Sequence, residues 1–166
     1  MKPGKPGLSK GYLVGIIALT IVLPAVSVFI EMVVHNNAPV SVVLVGKWFI
    51  FWASGMRLFV AGLKQVLQPG FTAKNIFHLQ GTEAHVIITE LGFANICTGL
   101  VGLLSLFFPG WRIVSAFGSG LYYGLAGIYH IIKKPVGPNE QVALASDIVI
   151  FIALAAYTML MFGVNL

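Results

Sequence analysis

Charge is what this sequence lacks most. Only 9% of its 166 residues are Asp, Glu, Lys or Arg, against 58% hydrophobic residues and a mean hydropathy of +0.93; soluble domains carry roughly 25% charged residues. No water-soluble core needs so much apolar material, and no second folded domain fits outside the apolar stretches, so 1–166 reads as a single membrane domain. A single cysteine, Cys97, excludes an intramolecular disulfide and a two-thiol relay, and leaves the compartment unreadable from thiols. Five acidic residues against ten basic ones give a net charge of +5. The lysines are scattered at segment ends and do not cluster on one face, which excludes a nucleic-acid footprint and points to anionic lipid. A Walker loop, a nucleophile elbow and a zinc ligand set are all missing, so no catalytic motif and no metal site are expected.

What is present is apolar length. Five stretches, 11–34, 40–66, 84–108, 112–132 and 142–164, each approach or exceed the ~20 residues that cross a bilayer. Lipid tolerates only helices and closed barrels, because an unpaired backbone group there is too costly, and these runs lack barrel-like alternation. The expected fold is therefore all-α: a polytopic integral membrane helical bundle of about five transmembrane helices. The stretch 11–34 follows Lys2, Lys5 and Lys10 as a signal peptide would, but it is long and has no clear small-residue cleavage site, so it is read as a retained span. Breaks at 35–39, 68–83, 109–111 and 133–141 carry Pro39, Pro109, Pro135 and Pro138. With the N-terminus cytoplasmic, the inside collects Lys2, Lys5, Lys10, Lys64, Lys74, Lys133 and Lys134 and the outside only Arg112, which is the expected asymmetry. The C-terminal Asn165 and Leu166 then lie outside. Segment 71–80, with Phe71, Ile76, Phe77 and Leu79 among Lys74, Asn75 and His78, reads as a short interfacial helix or a polar loop.

The few charges inside these spans mark the candidate site, since each costs roughly 2.5–3.5 kcal/mol on insertion scales and needs a partner or a wet cavity. Glu31 and Lys47 fall at compatible depths toward the outer end and can pair. Arg57, Glu90 and Asp147 place one cation and two carboxylates in the inner half. Arg57 shares a stripe with Gly46, Ile50, Ala53 and Ala61, whose small members allow close helix approach and turn it inward. Gly92, Asn95, Gly99 and Gly102 form one face of the third span, with Glu90, Ala94 and Cys97 opposite. Protein contact on both faces would make that span the central helix. Ala116, Gly120, Gly124 and Gly127 line the fourth span, with Tyr123 and His130 beside them; Thr20, Pro24, Ser27 and Glu31 make a polar seam in the first.

The expected ligand-binding residues are Arg57, Glu90, Asn95, Tyr123, His130 and Asp147, with Tyr122 and Tyr129 as further aromatic walls. Arg57 would hold an anionic or carbonyl oxygen, and Glu90, Asp147 and Asn95 would orient it. The same charges also read as a buried ion cluster that fixes helix register, and the sequence leaves both open. A lipid or a quinone is the possible cofactor. His85 and His130 are the only obvious mates for a bis-histidine haem, and nothing in their spacing calls for one.

The string Thr89-Glu90-Leu91-Gly92-Phe93-Ala94-Asn95, with Trp111, Tyr122-Tyr123-Gly124-Leu125-Ala126-Gly127, His130, Glu140 and Ser146-Asp147, resembles a group of small prokaryotic multi-spanning membrane proteins of unknown function. More loosely, it is similar to the DoxX-like proteins. The resemblance covers roughly 68–160 and implies a small helical bundle, in some cases tied to respiratory or sulfur-oxidising quinone chemistry, in a prokaryotic inner or cytoplasmic membrane. It fixes no catalytic residue, and the fifth span departs from the DoxX pattern. The functional expectation is a multi-pass cell-membrane protein that binds a lipid, quinone or other small amphiphile in a cytoplasmic-half pocket, alone, as a homo-oligomer or as an accessory subunit of a larger complex. The alternatives are a proton-coupled transporter or channel and a redox-complex subunit.

Overall fold

The computed structural model describes residues 7–35, 39–77, 79, 81–134 and 137–164. Lys2 and Lys5 of the basic flank, Pro135, His78 and Gln80 of the expected interfacial segment, and the terminal Asn165 and Leu166 lie outside the described residues. The protein is 85% helical, with no strand among the described residues. Its helices are α1 (Lys10–Val34), α2 (Val42–Leu67), the short α3 (Pro69–Asn75), α4 (Ala84–Leu104), α5 (Trp111–Lys133) and α6 (Pro138–Val164). Four of them, α1, α2, α4 and α6, are long and apolar enough to cross a membrane. With 23 residues α5 has the length, but its glycines, serines and tyrosines leave it outside that group.

Local chemistry sets the ends. Ser9 and Ser41 cap α1 and α2, their hydroxyls accepting from the amides of Tyr12 and Leu44. Pro69 opens α3 two residues earlier than the expected interfacial segment, with a fixed φ suited to a first helical turn, and the helix is over by Asn75. Thr72 and Ala73 are buried, so this segment is a packed floor of the bundle. Pro138 likewise opens α6 four residues before the expected start at 142, with Glu140 in the first turn where the helix dipole favours it. The chain leaves α4 at Leu104, short of 108, because the Ser105 hydroxyl turns back to the Gly102 carbonyl and Arg112 Nε donates to the Ser105 carbonyl. Phe107 and Phe108 are left exposed at the hairpin.

Two helix pairs are joined along glycines. On α2 and α4, Gly55 meets Gly102 and Gly62 meets Gly92 backbone to backbone, and Gly99 sits against the Phe59 amide. On α5, Gly120, Gly124 and Gly127 receive Leu154, Phe151 and Ile148 of α6. Small residues let apolar helices approach closely where no hydrophobic drive separates protein from lipid tails. Between the pairs, Ile50, Ala53, Leu58, Ala116, Tyr123, Ile150, Leu154 and Tyr157 form the core. Tyr157 closes one end over Gly46, and Ser54 donates to Ser119 at 2.5 Å between α2 and α5.

Both long N-terminal helices contain a π-helical stretch, Ala18–Val22 in α1 and Ile50–Met56 in α2. In α1 the cause is Pro24, which has no N–H to offer and so breaks the regular ladder; the Leu23 amide bonds the Ala18 carbonyl.

The α2–α4 seam is the testable part of this packing. A Cβ at Gly62 would stand 2.6 Å from the Gly92 carbonyl oxygen, whereas one at Gly118 meets nothing within 4 Å. Gly62→Val is expected to lower the unfolding free energy in mixed micelles by about 1–3 kcal/mol, and Gly118→Ala, which puts a better helix former into open space, not to lower it. Equal stability of the two variants would show that α2 and α4 do not meet there.

Candidate functional site

Five helix ends converge where the lysines gather. The start of α1 is tied to the start of α6 by the Ser9 amide donating to Asn139 Oδ1 at 2.9 Å, and the end of α2 to α4 by Asn95 Nδ2 donating to Gln65 Oε1 at 2.8 Å. The end of α5 meets α6 through His130 and Glu140. Lys10, Lys64, Lys74 and Lys133 lie at this lysine-rich end. Above the α3 floor the helices leave a cavity of about 480 Å³ that is open on one side, within the roughly 300–1,000 Å³ of small-molecule sites. Its polar lining is Tyr12 from α1, Arg57, Lys64 and Gln65 from α2, Thr72 from α3, Asn95 from α4, Tyr122, Tyr123, Tyr129 and His130 from α5, and Asp147 from α6. Phe71, Ile76 and Phe77 supply apolar floor.

Arg57 organises this end. It follows the π-helical stretch directly, and its own amide bonds the Trp52 and Ser54 carbonyls, leaving the Ala53 carbonyl to accept from the Tyr123 hydroxyl at 3.1 Å. The same Tyr123 ring lies 4.9 Å from the guanidinium carbon, a cation–π contact. One guanidinium nitrogen, Nη2, donates to Asp147 Oδ1 and to Ser146 Oγ, both at 2.8 Å. The other, Nη1, is buried with no hydrogen-bond partner among the described residues. Arg57 as a whole is 8% exposed and Asp147 7%. A guanidinium has five N–H donors in a fixed fork, so a protein that satisfies only part of the fork leaves a position for an acceptor from elsewhere.

The structure brings together five of the six expected site residues: Arg57, Asn95, Tyr123, His130 and Asp147. Glu90 stands apart from these five. It is exposed on the outward face of α4 and outside the cavity, and Ala94 and Cys97 are exposed with it. Contact on both faces was expected of α4; its buried side is the glycine seam alone, because Gly92, Asn95 and Gly99 already take the inward positions. His130 Nδ1 lies 3.3 Å from Glu140 Oε1, and Lys133 Nζ lies 3.4 Å from the same oxygen. Glu140 is fully buried. Tyr12, Lys64 and Gln65 escaped the sequence reading as site residues. For the last two a signal existed, since Arg57, Ala61, Lys64 and Gln65 share a helical face; the position of Tyr12 depends on how α1 packs.

The opposite end carries its own polar seam. Glu31 pairs with Lys47 and accepts from Trp48 Nε1 at 2.6 Å, and Ser27 accepts from Trp52 Nε1 at 2.9 Å. Thr20 and Pro24 are buried in the same stripe. Among the described residues no group of His, Cys, Asp and Glu is placed to hold a metal ion.

Fold and site together define an all-α helical bundle, with several apolar helices compatible with a membrane protein and a polar cavity at one end. No protein-family model, curated protein or solved structure matches the chain.

The buried pair makes a direct prediction. Removing one partner leaves an uncompensated charge, so Asp147→Ala is expected to cost about 3–5 kcal/mol, whereas replacing both partners by apolar residues of similar volume is often close to neutral. In thermal unfolding, the double variant Arg57→Met/Asp147→Leu should recover most of the loss. A double variant as unstable as the single one would show that the two side chains are not coupled.

Proposed function

We propose that this protein is a multi-pass membrane protein that binds a small amphiphile, a lipid or a quinone, in the cavity at its lysine-rich end. The observation that carries the reading is Arg57 Nη1: a charge-bearing donor, buried, in a side chain that lines a cavity, with no acceptor among the described residues. A cluster built only to fix helix register would be expected to satisfy its guanidinium, because a partly satisfied buried network is more costly than an apolar one. Tyr12, Tyr122, Phe71 and Phe77 add apolar and aromatic wall for a chain or ring, and Asn95 with Gln65 adds an amide pair that can exchange bonds with a polar head.

The lysine distribution supports a cytoplasmic position for this end in a cell membrane, with α5 counted as a fifth span and the N-terminus inside. The loose resemblance to DoxX-like proteins agrees with a quinone or accessory role, and the cavity geometry supports ligand binding without depending on that resemblance. Among transport, redox and binding roles, binding requires least beyond these residues: one cavity and one unsatisfied donor.

Native mass spectrometry of the full chain in mild detergent, with lipid and quinone extraction, tests the proposal. Wild type should retain a small molecule that is lost both in Arg57→Ala and in Ala126→Trp, which fills the cavity without touching a charge. A wild type free of any bound molecule, with Arg57→Ala merely less stable, would make the group a structural ion cluster.

A further inference from the structure

Resting on that reading, the charge of the cavity wall narrows the ligand class. Two cationic side chains line the cavity, Arg57 and Lys64, and one carboxylate, Asp147, which is already engaged by Arg57 Nη2. Lys64 lies two helical turns from Arg57 on the same face of α2, about 10 Å along the axis. Its ammonium rests 3.4 Å from the centre of the Phe71 ring and has no carboxylate partner among the described residues. The nearby His130 lies 3.3 Å from Glu140 Oε1, an oxygen that Lys133 shares, so Glu140 is engaged away from Lys64. The wall therefore carries one positive charge, that of the half-buried Lys64, without a carboxylate to match it among the described residues. We propose that the ligand is an anionic amphiphile, with a phosphate or carboxylate head drawn in past Lys64, an oxygen accepting from Arg57 Nη1, and an apolar chain against Tyr12, Tyr122 and Phe71.

A neutral head would fill the same space but leave that charge uncompensated. An anion restores balance: its hydrogen bond to a guanidinium also joins two opposite charges, whereas a ketone accepts from the same donor without a charge of its own. Phosphate and carboxylate share this chemistry, and the source of the head, an amphiphile or a free anion, is what the experiment separates.

Equilibrium binding of radiolabelled dodecyl phosphate, dodecanoate and uncharged monododecanoylglycerol to the full chain in phosphatidylcholine nanodiscs provides the test, with inorganic phosphate as the head alone. The two anions are expected to bind about tenfold or more tighter than the neutral compound, the difference that 1.4 kcal/mol of charge pairing produces. Lys64→Gln should remove most of that preference and Lys64→Arg should keep it, and neither change touches the buried core. Equal binding of charged and uncharged compounds, unaffected by Lys64→Gln, would overturn the anion preference and leave amphiphile binding standing. Inorganic phosphate binding as tightly as dodecyl phosphate would overturn the requirement for a chain. Binding of none of them would remove both this inference and the reading it rests on.

Discussion

A guanidinium in the middle of an apolar bundle is the constraint on which the rest of this structure turns. Arg57 cannot be neutralised by giving up its proton, so every element around it has to supply compensation. From α6 come Asp147 and Ser146, adjacent residues that reach the same nitrogen. From α5 comes the Tyr123 ring, which meets the charge with its face and the α2 backbone with its hydroxyl. The π-helical stretch before Arg57 makes the second contact possible, because the Arg57 amide bonds Trp52 and Ser54 and leaves the Ala53 carbonyl for Tyr123. Three helices are thus registered against one side chain.

The glycine seams and the cavity are two sides of the same packing. Gly55, Gly62, Gly92, Gly99 and Gly102 bring α2 and α4 within backbone contact, and Gly120, Gly124 and Gly127 let side chains of α6 settle onto α5. Helices drawn that close in pairs leave a wedge of space where the pairs diverge. At the Tyr157 end the wedge is filled by an aromatic ring over Gly46. At the lysine-rich end it is bounded by Tyr12, Tyr122 and the α3 floor and stays open, so the cavity follows from where large side chains stop.

Apolar length made the helices legible in the sequence, since in lipid the backbone has almost no alternative to a helix. Depth counting made the Glu31–Lys47 and Arg57–Asp147 pairs legible, because residues at similar depth on inward faces have few other partners. Glu90 shows the limit of depth alone. It lies at a suitable height, but the azimuth of α4 is set by Gly92, Gly99 and Gly102, and a glycine face that must touch α2 turns Glu90 outward. The helix ends near 104 and 138 depended on Ser105 turning back on Gly102 and on proline at a first turn, local chemistry that hydropathy does not report. Tyr12 could not be placed in advance, since α1 has little inward patterning of its own.

The two ends of the bundle solve the same problem differently, and the difference separates structure from function. At the Glu31 end the carboxylate is met by an ammonium and an indole N–H, and Ser27 by a second indole. Each of these charged and indole groups has its partner within the bundle, and of the same stripe the buried Thr20 hydroxyl has none among the described residues. At the lysine-rich end Asp147, Ser146, Asn95 and Gln65 are likewise engaged, yet Arg57 keeps one buried nitrogen without an acceptor and Lys64 has only an aromatic face. Arg57 Nη1 and the Lys64 ammonium are thus the two donors of this end that the described residues leave without a hydrogen-bonding or carboxylate partner, both in side chains that line the cavity.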